Sequence, residues 1–195
     1  NQLAPIHGSF EMPVVPADVI IHIAAQRADL CFVLSQSFFD GIQDKVEVLD
    51  ERVCFRQFDG RDLTGFIDGT ENPQFPDDRA ETALLPEDAD EFTDGSFIFA
   101  QRYAHNLEKW KKLKVDAQEQ VIGRTKLESI ELDDEVQPNN SHVSRTVVED
   151  DKGEEMAILR HSLPYGDGKG DQGLFFIAYT NDLSIIDSML LRMFG

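Results

Sequence analysis

Ser96-Phe97-Ile98-Phe99-Ala100-Gln101-Arg102-Tyr103 reads as a strand, and the order of elements that follows it decides the fold. Asn106 offers an N-terminal cap for a helix over residues 107–122. Residues 128–140 are acidic and read as a loop. Residues 142–148 and 155–163 read as strands on either side of Asp150-Asp151-Lys152-Gly153, a hairpin turn. Residues 174–180 read as a strand, and residues 183–194 as an apolar helix.

The order from Ser96 is therefore β-α-β-β-β-α. It approaches the β-α-β-β-α-β ferredoxin-like unit, with a hairpin elaborated in the middle and the last strand absent. Upstream, residues 18–25 read as a strand. Residues 28–39 are apolar at helical spacing and end at Gly41. Residues 45–58 read as one or two strands. This β-α-β order resembles the second half of another such unit. The expected class is α+β: duplicated ferredoxin-like units with antiparallel sheets, truncated at both ends. The expected divisions are 1–58 (latter part of a first unit), 59–95 (linker loop) and 96–195 (second unit).

Composition narrows the function. Hydrophobic residues make up 41% of the 195 residues, enough for a packed core. The 18 basic against 37 acidic residues, net charge −19, argue against nucleic acid and against an anionic membrane surface. No apolar run approaches the ~20 residues of a membrane helix. The chain opens Asn1-Gln2-Leu3, without Met or a signal sequence. Cys31 and Cys54 sit among apolar neighbours and read as buried free thiols of a reducing compartment, although one disulfide is also compatible. No Cys-x-x-Cys-His is present for covalent haem attachment.

The linker region holds Gly65-Phe66-Ile67-Asp68-Gly69-Thr70-Glu71-Asn72-Pro73, an acid between two glycines ahead of Asn-Pro. By residue type this is equally an ordinary Asx turn. Asp59, Asp62, Asp77 and Asp78 lie nearby, but their spacing does not match a calcium loop.

The stretch resembles the signature of the dye-decolourising peroxidases, haem enzymes with an aspartate in a Gly-x-x-Asp-Gly motif. Three later segments resemble the same family in its own order. They are Ile122-Gly123-Arg124-Thr125-Lys126, Asn140-Ser141-His142-Val143, and Ile158-Leu159-Arg160-His161-Ser162-Leu163-Pro164-Tyr165-Gly166. The resemblance is closest to the bacterial intracellular branch, which implies a cytoplasmic protein and an oligomer. It implies haem b, with His142 as the axial ligand to iron. It implies Asp68 as the acid–base group and Arg160 as the charge stabiliser, because peroxide activation needs a proton carrier beside a fixed cation. Arg160 also fits the outward face of a half-exposed strand.

Ser162 stands where many family members have Asn, and shares a face with Arg160 in an extended strand. His161 points to the other side. Arg124, Thr70 and Asn72 are implied near the haem propionates. Phe175, Phe176 and Ile177 could wall the pocket or simply belong to the core; of the three, Phe176 is the expected cofactor-binding residue. Trp110, Tyr103, Tyr165 and Tyr179 could relay electrons or simply pack.

The implied partners are hydrogen peroxide and organic donors such as dyes and phenols, with no nucleic acid, no membrane and a homo-oligomer. Two other readings stand beside the peroxidase: a haem-handling protein with incidental peroxidase activity, and a haem-free ferredoxin-like interaction module. In the family a carboxylate beyond the last helix supports the axial histidine. Here only Asp182 and Asp187 come late. The full protein is therefore expected to begin before Asn1 and extend past Gly195, and the 195-residue span to bind haem weakly or fold poorly alone.

Overall fold

A computed structural model describes residue 3, residues 5–8 and residues 11–195. A two-stranded hairpin opens the chain: β1 (Ile6–His7) and β2 (Glu11–Met12). Helices α1 (Ala28–Asp40) and α2 (Pro76–Ala83) follow, then a single 3-10 turn at Asp90–Phe92. The rest is β3 (Phe97–Ala104), α3 (Leu107–Trp110), α4 (Val115–Ile122), α5 (His142–Thr146), β4 (Leu159–Arg160), β5 (Leu163–Gly166), β6 (Gln172–Thr180) and α6 (Leu183–Phe194). The class is α+β with an antiparallel sheet.

The central strand is β6. It pairs with the whole of β3 on one side, from Phe97↔Thr180 to Ala104↔Gly173. On its other side lie β4 and β5 in one continuous register, with Arg160 opposite Ala178 and Leu163 opposite Phe175. Opposed residues share a face, so Ile158, Arg160, Phe176 and Ala178 look the same way. Helix α6 covers that face. Asp182 caps it by accepting from the Ser184 N–H at 2.9 Å. Its inward residues Ile185, Ile186 and Leu190 recur at helical spacing and pack with Ile158, Ala178, Ile6 and Met12 into one core.

The expected strand over 155–163 is reduced to β4 (Leu159–Arg160), the isolated bridge of Glu155 to Glu149 and the first residue of β5. Three further expectations fail here. Residues 142–148 are not a strand: residues 142–146 form α5, because Ser141 accepts from the Ser144 N–H at 3.1 Å and supplies a cap that outweighs the β-branched Val143 and Val147. The expected helix over 107–122 is broken into α3 and α4. Asn106 caps the first as expected. The Gln118 side chain then donates to the carbonyls of Trp110 (2.9 Å) and Leu113 (3.3 Å), which takes both out of a continuous helical ladder. Residues 18–25 and 45–58 form no strand. A strand needs a partner for its backbone groups; among the described residues the backbone of this region pairs with the sheet at one bridge, Cys54 to Tyr165, where the Phe55 N–H donates to the Pro164 carbonyl at 3.0 Å.

Helix α1 does form and ends at Gly41, but none of its residues is buried. Phe32, Val33, Val53 and Phe58 are each more than half exposed, so beyond Ile6 and Met12 the first third contributes little to the core. Cys31 and Cys54 are free and half-buried, not fully buried as expected.

Candidate active site

The loop from Gly60 to Asn72 is held from inside. Arg61 donates to the carbonyls of Gly65 (2.8 Å), Lys126 (2.5 Å) and Leu127 (2.8 Å). Asp62 is buried. Its carboxylate accepts from the Thr64 N–H (3.0 Å), the Thr64 hydroxyl (2.7 Å) and His105 Nε2 (2.9 Å). Burial alone would raise the Asp62 pKa; the hydrogen bonds from His105 and Thr64 outweigh it and hold the group below its ordinary value. Phe66 is buried against the edge of Trp110, whose indole N–H donates to the Thr64 carbonyl at 2.9 Å. The loop closes when the Asp68 N–H donates to the Gly60 carbonyl at 3.1 Å. Asp68 therefore leaves a rigid base.

Its carboxylate Oδ1 lies 3.5 Å from Arg160 Nη1, and both side chains are about one-fifth exposed. The two form an ion pair across the loop and the sheet. His142 opens α5. Its residue is exposed, yet its pKa is pushed down, first by burial, then by the nearby Arg160 cation, against a smaller upward pull from Asp68. Asp68, Arg160 and His142, remote in sequence, thus share one electrostatic neighbourhood.

The Gly-Arg-Thr-Lys segment joins the two walls. Gly123 ends α4 at φ +95°, and a Cβ there would lie 2.9 Å from Ser141 Oγ, the cap of the His142 helix. Arg124 is paired with Glu71 in the Asp68 loop and with Glu131 at 3.1 Å, and donates to the Ser129 carbonyl. Lys126 Nζ lies over the Phe66 ring and bonds Gln118. Helix α5 is fixed to α6 by Arg145 donating to the Arg192 carbonyl at 2.7 Å.

The other expected site residues fall as follows. Thr70 is half-buried in the turn after Asp68. The amide of Asn72 is engaged at both ends with the backbone of Arg160. Phe176 lies two residues from Ala178 on the Arg160 face, edge-on to Phe99 and Tyr103. The Ser162 hydroxyl accepts from the Ile177 N–H at 3.3 Å and so points into the sheet. His161 packs away from the site, against His22 and Tyr179. Burial pushes the Tyr103 phenol up to about 12.

Sequence reading missed the Asp62–His105 pair, which only the fold brings together, and the role of Ser141, which its place directly before His142 could have signalled. Among the described residues, no group of three or more His, Cys, Asp or Glu is gathered to hold a metal ion.

Two family models match nearly end to end: Dyp-type peroxidase, N-terminal, over residues 7–56, and Dyp-type peroxidase, C-terminal, over residues 59–195. The chain belongs to the Dyp-type peroxidase family. It is 44% identical over 183 residues to the dye-decolorizing peroxidase of Mycobacterium tuberculosis, covering 93% of this chain and 54% of that one. It is 40% identical to the Rhodococcus erythropolis enzyme, covering 93% and 53%.

Among solved Dyp-type structures, DyPB from Rhodococcus jostii RHA1 superposes with a TM-score of 0.94 at 44% identity, over 98% of this chain and 62% of that one. The encapsulated Dyp-type peroxidase of Mycobacterium smegmatis gives 0.94 at 40%, with the same coverage. A variant of the Rhodococcus jostii protein was solved in complex with heme. The chain spans about half the length of the curated relatives it matches.

Proposed function

We propose that this chain carries the catalytic centre of a haem b peroxidase that uses hydrogen peroxide to oxidise organic donors such as dyes and phenols. The observation that carries the reading is the Asp68–Arg160 pair at 3.5 Å with His142 in electrostatic reach of both. The residues fit a haem. An iron ligand must be a neutral imidazole, and burial favours that form of His142. Phe176 gives an apolar surface on the Arg160 face, and opposite it the buried Gln101 Oε1 has no hydrogen-bond partner among the described residues.

When bound, the iron supplies peroxide binding and redox change. His142 would hold the iron through a ring nitrogen. Asp68 would hold and move a proton at its carboxylate. Arg160 would stay charged beside it and offset negative charge on the peroxide oxygens. Arg124 and Thr70 lie beside this loop as candidates for the propionates.

In the haem-loaded protein, Asp68→Asn should slow the peroxide-induced change of the haem spectrum about 10²–10⁴-fold while haem content is unchanged. His142→Ala should lose the histidine-ligand signature. Equal rates for parent, Asp68→Asn and Arg160→Leu would leave only a haem-handling protein. A failed haem titration of the full-length protein would leave an interaction module.

The same proposal includes a cytoplasmic location and self-association. Strand β3 is a full-length sheet edge with Ile98 nearly half exposed; sedimentation at micromolar concentration tests association.

A further inference from the structure

Arg160 sits on β4, a strand of two residues at the edge of the sheet. The His161 N–H donates inward to the Ile177 carbonyl at 2.9 Å. In an antiparallel ladder the neighbouring residue, Arg160, then turns its own N–H and C=O away from β6. Left alone, both groups would be half-buried and unpaired. The Asn72 side chain meets both: its Oδ1 accepts from the Arg160 N–H at 2.9 Å, and its Nδ2 donates to the Arg160 carbonyl at 2.8 Å. A carboxamide presents one acceptor and one donor on one carbon, as a peptide group does. Asn72 therefore stands in for a missing neighbouring strand.

The turn that holds Asn72 begins one residue after Asp68. The Asn72 N–H donates to the Gly69 carbonyl at 3.1 Å, and Gly69 has φ +73°. A Cβ on Gly69 would lie 2.9 Å from Asn72 Nδ2. The turn is thus pressed flat, with Asp68 at one end and the Arg160 backbone clamped at the other. We infer that Asn72 is a positioning residue that sets the Arg160 backbone against the Asp68 loop, so that the two groups on the peroxide face move as one unit and not as parts of two independent segments. This goes beyond the peroxidase reading but rests on it, and it replaces a direct haem contact for Asn72.

The test uses the full-length, haem-loaded protein with Asn72→Ala, Arg160→Leu and the double variant. Asn72→Ala should slow the reaction with peroxide roughly ten- to a hundredfold, the scale of a misplaced catalytic group, with haem content unchanged. In the Arg160→Leu background the same substitution should cost nothing further. Amide hydrogen exchange at Arg160 should speed up in Asn72→Ala. In Asn72→Asp, which keeps the acceptor and loses the donor, the Arg160 amide should stay protected, a control that holds if the alanine variant folds poorly.

Equal slowing by Asn72→Ala in both backgrounds, or unchanged exchange at Arg160, overturns the inference while the peroxidase reading survives. An Arg160→Leu variant as fast as the parent overturns the inference; the peroxidase reading falls with it only if Asp68→Asn is equally fast.

Discussion

Asp62→Ala should destabilise the protein by about 3 kcal/mol, although Asp62 lies outside the Asp68–Arg160–His142 group. The magnitude follows from what the buried carboxylate receives: the Thr64 N–H at 3.0 Å, the Thr64 hydroxyl at 2.7 Å and His105 Nε2 at 2.9 Å. The hydroxyl can rotate to another acceptor. The Thr64 N–H and the His105 ring are part-buried; a fully buried donor left without a partner costs about 1–3 kcal/mol, and the lower half of that range applies to each. For a chain of this size 1 kcal/mol shifts the melting temperature by roughly 2–4 °C, so a fall of roughly 6–12 °C is expected by circular dichroism.

The effect should depend on pH in a definite sense. The folded pKa of Asp62 lies below its ordinary 3.8, because hydrogen bonds from His105 and Thr64 outweigh burial. Its contribution is therefore present above that value and is lost as the pH falls through the folded pKa. Parent and variant should converge in acid. A melting temperature unchanged by Asp62→Ala at neutral pH, or a gap that widens in acid, would refute the reasoning that this carboxylate is the strut under the Asp68 loop.

Ser141→Ala should cost about 1–2 kcal/mol in denaturant unfolding, since it removes the cap of α5. Gly123→Ala should cost about as much, from its left-handed φ and the contact with Ser141 Oγ. Full stability in either variant would detach His142 from this support. His142, pushed below its ordinary 6.5 first by burial and then by Arg160, takes up a proton less readily in the folded chain than in the unfolded one. The sign is opposite to that of a salt-bridged histidine: its contribution is complete above about pH 6.5 and is lost as the pH falls towards the folded pKa. Haem-free protein should lose stability over that range, and His142→Ala should remove part of the slope; an unchanged slope would refute the assignment.

The elements that local chemistry decides were legible in the chain. Helix α6 was readable because its apolar residues keep one period and Asp182 caps it; β3 and β6 because aromatic and apolar runs of strand length are bounded by polar turns. Gly41 ended α1 as glycine commonly ends helices. Asp68, Arg160 and His142 were singled out by motifs that are short runs of residue types, and the fold brings the three into one electrostatic neighbourhood.

What remained hidden depends on partners distant along the chain. The apolar runs at 18–25 and 45–58 carry strand composition, but composition does not supply a neighbouring backbone. Residues 107–122 carry helix composition, but the side chain of Gln118 draws off the Trp110 and Leu113 carbonyls. That the Asn72 amide would meet the backbone of Arg160, and that Asp62 would find His105, follows from neither local pattern. Each contact joins two segments whose relative placement is fixed by packing across the sheet and α6, and that free energy appears only when the whole chain has folded.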